Sequence, residues 1–147
     1  MIISAATAAD LDAIDEIERL SFPAPWPKET FAGELQREWA RIDVGRVDNK
    51  IVAFNNYWIV TTELHVLAIA THPDLRGRGY GAQLLDYAIR QAIATGCSLA
   101  TLEVRRTNLA AIALYERAGF KTVHVRARYY QDDNEDALVM LRGLSSG

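Results

Sequence analysis

A single cysteine, Cys97, stands among 147 residues, so no disulfide can form within the chain. Its place just after a helical stretch suits a small apolar filler better than a nucleophile, and the compartment this implies is the cytoplasm. An excess of basic charge is missing too. Sixteen Lys and Arg stand against nineteen Asp and Glu, a formal net charge of −3, whereas a surface that follows nucleic-acid phosphates needs a strong positive balance. No apolar run approaches the ~18 residues of a membrane-crossing helix. The first residues turn acidic at Asp10, Asp12 and Asp15, where a secretory leader would be basic and then apolar. Neither a nucleic acid nor a membrane is therefore expected as a partner. His65, His72 and His124 are scattered without the spacing of metal ligands, so no metal is expected. Repeats, low-complexity blocks and linkers are absent as well.

What is present fits one α/β domain over residues 1–147, with half of them hydrophobic and enough chain to bury a core. Ile2 to Ala6 reads as a short strand. Thr7, with Asp10 three residues on, starts a helix to about Leu20 whose inner face carries Leu11, Ile14 and Ile17. Three of the four prolines crowd into Phe22-Pro23-Ala24-Pro25-Trp26-Pro27 and must break that helix. Pro27 can open a second, Lys28 to about Glu38. Strands are expected at Ile42–Val47, Ile51–Val60 and Leu64–Thr71, the first two joined by Asp48-Asn49-Lys50 and the third stopped by Pro73.

Tyr80 to Thr95 is the clearest helix: Leu84, Leu85, Ala88, Ile89, Ala92 and Ile93 form a broad apolar stripe, and Gly96 ends it. Leu99 to Val104 has apolar residues on both faces, the mark of a central strand. Asn108 caps a helix that runs to Ala118, with Gly119 as its stop. Two last strands, Lys121–Arg128 and Ala137–Arg142, flank the acidic stretch Gln131–Asp136, and Ser145-Ser146-Gly147 is expected to fray.

Between a strand and the clearest helix lies Arg76-Gly77-Arg78-Gly79-Tyr80-Gly81-Ala82. Three glycines in five positions let the main chain turn tightly and approach a ligand without Cβ interference. A helix that begins there aims unpaired N–H groups and its positive dipole end into the loop. With two arginines added, the loop suits a phosphate; the plainer alternative is a glycine-rich surface turn. It is not a Walker loop, because no Lys-Ser/Thr follows, and it lacks the G-x-G-x-x-G form.

Glu103 is the oddest residue, a carboxylate between Leu102 and Val104 in the strand expected to be most buried. Unpartnered there, it would cost several kcal/mol. Either it pairs with Arg105 or Arg106 at the strand end, or it faces a wet cleft. Asn108 and Tyr115, seven apart on one helix, fall within roughly 20° of each other at ~100° per residue. Asn108 can cap the helix or bind a ligand group. Tyr115 is either a proton donor or a half-buried aromatic with its hydroxyl in water. The clusters Arg105-Arg106 and Arg126–Arg128 read as a solvated face.

The loop Arg76 to Gly81 resembles the acetyl-CoA signature of the GNAT acyltransferases, R/Q-x-x-G-x-G/A. Leu102-Glu103-Val104-Arg105 and the stretch from Asn108 to Ala118-Gly119-Phe120 are similar to the bacterial RimI branch of that family, which acetylates the N-terminal alanine of a small-subunit ribosomal protein. The likeness covers nearly the whole chain. It implies a mixed, mostly antiparallel sheet of about seven strands, splayed at its centre, with about four helices. It also implies an acetyl-CoA-dependent transfer to a protein N-terminal amine without a covalent enzyme intermediate.

By the same resemblance, the backbone of Ile69, Ala70 and Thr71 would bind the pantetheine arm. Arg76, Gly77, Arg78, Gly79, Tyr80, Gly81 and Ala82 would hold the pyrophosphate, and Asn108 would also touch the cofactor. Glu103 would be the base and Tyr115 the acid. Phe22, Trp26, Tyr129 and Tyr130 would border the acceptor, a ribosomal or other protein N-terminus. Two departures, the polar Asn55-Asn56-Tyr57-Trp58 and the acidic Asp132, Asp133, Glu135 and Asp136, bear on the acceptor. Two rivals stay open: a small-molecule amine as acceptor, and an acyl-CoA-binding module without turnover.

Overall fold

The computed structural model describes residues 1–145; the fraying expected at Ser146 and Gly147 lies outside the described residues. Seven strands, β1 (Ile2–Ala5), β2 (Ala40–Val47), β3 (Lys50–Val60), β4 (Glu63–Thr71), β5 (Leu99–Arg105), β6 (Lys121–Arg126) and β7 (Ala137–Gly143), form one sheet. Their order is β1-β2-β3-β4-β5-β7-β6. Every neighbouring pair is antiparallel except β4 and β5. A parallel pair needs a crossover, and helix α3 (Tyr80–Ala94) supplies it. The other helices are α1 (Leu11–Ser21), α2 (Lys28–Glu34) and α4 (Leu109–Arg117). Among the described residues no helix is long and apolar enough to cross a membrane.

Each face of the sheet has its own core. On one, Leu85, Ala88, Ile89 and Ala92 of α3 and Tyr115 of α4 pack on Tyr57, Leu64, Val66, Ala100 and Leu102. On the other, Leu11, Ile14 and Ile17 of α1 and Phe31 of α2 pack on Ile42, Val44, Phe54, Ala68 and Ala70. The two cores show a change of side along β4. Leu64 and Val66 face α3, whereas Ala68 and Ala70 face α1. The switch lies at Leu67, which has no partner on β3: Tyr57 pairs with Val66 and Asn56 with Ala68. One extra residue in a strand reverses which face the later side chains meet.

Two expected boundaries move. Helix α2 stops at Glu34 instead of continuing to about Glu38. Gln36 and Arg37 donate to Gly33 and Glu34 in tighter i→i−3 turns, and the Trp39 carbonyl accepts from Ile59 N–H at 2.8 Å, which draws the chain into the sheet. The Glu34 carboxylate accepts from the Trp58 indole at 2.6 Å. Strand β6 ends at Arg126 because Arg128 turns left-handed, with φ 53°. The start of α1 is preceded by a short 3₁₀ turn, Ala8–Asp10, in which Asp10 accepts from Thr7 N–H at 2.9 Å. Asp10 also accepts from Arg46 of β2 at 2.5 Å, which ties the helix entry to the sheet.

Under α3 lies a buried polar pair: the Tyr57 hydroxyl donates to Asp43 Oδ2 at 2.6 Å. Burial pushes the Asp43 carboxyl up from its ordinary value, and the Tyr57 bond and Arg41 pull it back only in part. A carboxyl that holds its proton more tightly when folded stabilises the fold in acid, and that contribution fades as the pH rises through its folded value. Asp43→Asn keeps an acceptor for Tyr57 and removes the buried charge. Its melting temperature relative to wild type should therefore be higher at pH 8 than at pH 4. A difference of ~1 kcal/mol corresponds to about 2–4 °C in a chain of this size, and thermal unfolding at both pH values measures it.

Candidate active site

The pairing of β4 with β5 runs only from Glu63↔Leu99 to Val66↔Leu102. Beyond that point β4 continues to Thr71 without a partner on that side, while Glu103 to Arg105 of β5 pair with β7 alone. A cleft of about 640 Å³ opens where the strands part. Its floor is Leu67, Ala68 and Ile69 on one side and Glu103 and Val104 on the other. Phe22, Ala24 and Trp26 of the α1–α2 connection form one wall, Asn108, Ala111 and Tyr115 a second, and Tyr129 and Tyr130 a third.

Side chains of β5 alternate. Leu102 and Val104 enter the core beneath α3 and α4, where Tyr115 also lies, so Glu103 points to the opposite face. Glu103 and Tyr115 thus reach one cleft from opposite sides of the sheet. Glu103 does not pair with Arg105 or Arg106, the expected neighbours. Its Oε1 lies 3.4 Å from Arg126 Nη1 on β6. Successive residues of a strand point to opposite faces, but Arg105 shares the face of Glu103 and is drawn elsewhere.

Arg105 donates to Asp132 at 3.0 Å and to Asp133 at 3.1 Å, and its guanidinium carbon lies 3.9 Å from the Tyr130 ring centre. Arg106 donates to Asp136 at 3.1 Å. The acidic stretch 131–136 is therefore clamped to the end of β5, and with a side chain only 16% exposed Arg105 is not part of a solvated face. Bonds from the Thr107 hydroxyl and N–H hold the Glu135 carboxyl below its ordinary value, with Arg105 adding to them.

Tyr115 is buried, against the expectation of a hydroxyl in water as its plainer role. Burial raises its phenol well above the ordinary value, with a smaller push from Tyr130. Burial also pushes Tyr130 up to about 12, despite the Arg105 cation above its ring. Tyr129, held up first by its hydrogen bond to Glu103 and then by desolvation, packs edge-on against Tyr130 with ring centres 5.1 Å apart. All three phenols are neutral at physiological pH. Asn108 does cap α4: its Oδ1 accepts from Ala111 N–H at 3.2 Å.

The glycine loop lies past the end of β4, outside the cleft. Gly77 and Gly79 take φ of +81° and +82°, which L side chains rarely adopt, and a Cβ on either would meet nothing within 4 Å. The space above the loop is open. Gln83 N–H is the first in α3 to find a helical acceptor, the Gly79 carbonyl at 3.1 Å. The amides of Gly79, Tyr80, Gly81 and Ala82 therefore have no helical acceptor and are left for solvent or a ligand. A pyrophosphate fits such a cradle. Arg76, however, is engaged elsewhere: it donates to the Thr71 carbonyl at 3.2 Å and to Ser21 Oγ at 3.1 Å, pinning the loop to β4 and α1. Ala70 is buried in the core, so only its main chain is available to a ligand.

The structure thus brings Phe22, Trp26, Ile69, Glu103, Asn108, Tyr115, Tyr129 and Tyr130 around one cleft, with Thr71, Arg76 and Gly77 to Ala82 beside it. Of the cleft residues that a reading of the sequence does not assign to the site, Leu67, Arg105 and Glu18 show why. Leu67 owes its place to the bulge, which leaves no local signal. Arg105 owes its place to a loop 27 residues away. Glu18 had a signal, since 11, 14 and 18 share one helical stripe and a carboxylate on an apolar stripe is anomalous. Among the described residues no cluster of three or more His, Cys, Asp or Glu could hold a metal.

Residues 11–120 match the Acetyltransferase (GNAT) family, and the chain belongs to it. Over 145 residues it is 34% identical to the [ribosomal protein bS18]-alanine N-acetyltransferase of Salmonella typhimurium, covering 97% of each chain. Its fold superposes on the ribosomal-protein-S18-alanine N-acetyltransferase of Escherichia coli with a TM-score of 0.91, at 35% identity over 99% of this chain and 95% of that one. Ard1 of Thermoplasma volcanium shares the fold as well, with a TM-score of 0.90 at 23% identity and 97% coverage of both chains.

Clamping of the 131–136 stretch has a measurable consequence. Arg105→Ala leaves the Tyr130 ring and the Asp132 and Asp133 carboxylates without their cation. Amide exchange across residues 129–136 should rise at least tenfold relative to β3, with a loss of ~1–2 kcal/mol in stability for a networked cation of this exposure. Hydrogen exchange followed by mass spectrometry reads both regions in one experiment.

Proposed function

We propose that the chain moves an acetyl group from acetyl-CoA directly to the α-amine of a protein N-terminus, the N-terminal alanine of ribosomal protein bS18 in the first place. The observation that carries this is the cleft through the sheet, where a carboxylate and a neutral phenol meet between a phosphate cradle and an aromatic wall. The names of its relatives at 34% identity supply the acceptor. Ribosomal proteins are made in the cytoplasm, and that is where the chain would work. A small-molecule amine is the weaker choice, since Phe22, Trp26, Tyr129 and Tyr130 line an open groove that suits an extended peptide. The acidic stretch 131–136 adds little to a preference for basic acceptors, because Arg105 and Arg106 already neutralise much of it.

Acetyl-CoA supplies an activated thioester. The amides at the start of α3 would hold its pyrophosphate, and the unpartnered main chain of β4 from Leu67 to Thr71 its pantetheine arm. Asn108 has its amide Nδ2 left for the cofactor after capping α4. An α-amine with a pKa near 8 is about one-tenth neutral at pH 7, whereas a carboxylate near 4.3 is a poor base for the ammonium form. The gap of about 4 units amounts to roughly 5 kcal/mol. Glu103 therefore acts through an ordered water, or accepts the proton once attack on the carbonyl has made the nitrogen acidic. Tyr115 donates to the departing sulfur. Free N–H groups of β4 meet the developing oxyanion.

Release of CoA thiol on addition of an alanine-first peptide tests the assignment; no release from the folded protein overturns it. Peptide arrays set against a panel of small amines decide the acceptor class. Glu103→Gln should lower kcat by about 100-fold and flatten its pH profile while acetyl-CoA affinity stays at the wild-type value. Tyr115→Phe should lower kcat by a similar factor; full turnover in that variant removes the donor role.

A further inference from the structure

The charged side chains that line the cleft are Glu18, Glu103, Arg105 and Asp132. Three of them are matched: Glu103 lies against Arg126, and Arg105 against Asp132. Glu18 alone has no cation within salt-bridge reach among the described residues. It sits on the last turns of α1, only 2% exposed, just before the segment that carries Phe22 and Trp26. Its Oε2 accepts from Trp26 N–H at 3.0 Å, which pulls that segment against the helix. Its Oε1 is buried with no hydrogen-bond partner among the described residues. One turn earlier on the same helix, Asp15 Oδ1 is buried and unpartnered too, although Asp15 Oδ2 is held by Arg19 at 3.1 Å.

Resting on the acetyltransferase assignment above, we propose that Glu18 is a positioning residue for the acceptor, receiving the charged α-ammonium of the incoming N-terminus through its unpartnered oxygen. A buried carboxylate without a partner is costly, and chains keep such a group when a ligand completes it. Glu18 belongs to the wall opposite Tyr129 and Tyr130, so an N-terminus that slides between the aromatic rings meets one uncompensated negative charge. Glu103 is poorly placed for first capture, because Arg126 and Tyr129 already occupy it. Burial first, and Asp15 after it, raise the Glu18 carboxyl above its ordinary value, and an ammonium alongside would favour the ionised form. The two carboxylates of the cleft then divide the work: Glu18 selects and holds the cation, the ammonium gives its first proton to water to become the neutral nucleophile, and Glu103 takes the second proton once the nitrogen has bonded to carbon.

Glu18→Gln separates this role from a purely structural one, because an amide oxygen still accepts the Trp26 N–H while the charge is gone. The measurement is binding of two peptides, one beginning with alanine and one whose first residue is a propionyl group, identical except for the amine, together with turnover of the alanine peptide. Wild type should bind the amine-bearing peptide at least tenfold more tightly than its deamino twin, and Glu18→Gln should abolish most of that preference. KM for the alanine peptide should rise at least tenfold in the variant, with KM for acetyl-CoA unchanged and kcat at saturation within about threefold. Glu18→Asp, which keeps the charge and shortens the reach, should fall between the two.

Equal losses for both peptides in Glu18→Gln would overturn the proposal, as would an unchanged preference for the amine. If Glu18→Gln loses acetyl-CoA binding, Glu18→Asp decides alone: retention of the full wild-type preference for the amine rejects the role. Wild-type turnover of the alanine peptide in the same experiment keeps the failure of this inference distinct from failure of the assignment it rests on.

Discussion

The rest of the molecule is arranged around the place where β4 stops pairing with β5. Past Val66 and Leu102 the ladder ends, and main-chain N–H and C=O groups are left open at the centre of a sheet rather than at its edge. Sealed in a dry interior, each such group would cost ~1–3 kcal/mol. The parting is tolerable only because it opens to a cleft that water or a ligand can enter. The bulge at Leu67 belongs to the same feature. It turns Ala68 and Ala70 toward α1 just where the strand leaves its neighbour, so each half of β4 still has a packed face. A straight β4 in register with β5 to its end would close the cleft and bury Glu103 without solvent.

Charge around that opening is largely paired off. Arg105 gathers Asp132 and Asp133 and covers the Tyr130 ring, and Arg126 meets Glu103 while lying 5.3 Å from the Tyr129 ring centre. Each arginine so joins an acid and an aromatic, and together they fix the third wall, which has few apolar contacts of its own. Strand β6 next to it is exposed along its whole length. A wall built from cation–π contacts and partly exposed ion pairs is individually weak in each link, on the order of 1 kcal/mol. It can yield to an acceptor more easily than the opposite wall, where Trp26 packs on Phe31 with ring centres 5.5 Å apart.

Much of this was legible from the amino-acid order. Period-3.6 stripes in α1 and α3, the glycine stops at Gly96 and Gly119 and the proline break all act within a few residues, so the elements they mark lie where expected. Asn108 and Tyr115 share a helical face because seven residues nearly close two turns. Long-range effects were not legible. The early end of α2 depends on Trp58 and Ile59, some two dozen residues away. The partner of Glu103 is on β6, since the neighbouring arginines are drawn to a distant acidic loop. Leu67 carries no local mark, because a bulge is a mismatch between two strands and neither shows it alone. The roles of the site residues are proposals that the likeness to a family suggested; the geometry gathers Phe22, Trp26, Ile69, Glu103, Asn108, Tyr115, Tyr129 and Tyr130 at one opening and leaves the glycine loop outside it.

Burial of Tyr115 has a price in proton affinity that constrains the proposed transfer. An ordinary phenol, with a pKa near 10, gives its proton to a thiolate near 8.5 at a cost of roughly 2 kcal/mol. Burial raises the phenol further, which by itself makes donation harder. The same dry surroundings act on the leaving sulfur, however. A thiolate that forms beside Tyr115 without water is a stronger base than one in solution, so both affinities rise together and the gap does not widen in proportion. In the proposed transfer, donation would stay uphill by about that gap and would become accessible only as the C–S bond breaks and negative charge appears on sulfur. The phenol would stay neutral and protonated until that moment, and in the proposed mechanism the carboxylate on the other face of the sheet would handle the amine proton separately. Two proton-transfer groups on opposite sides of a split sheet can therefore serve one direct transfer without competing for the same proton.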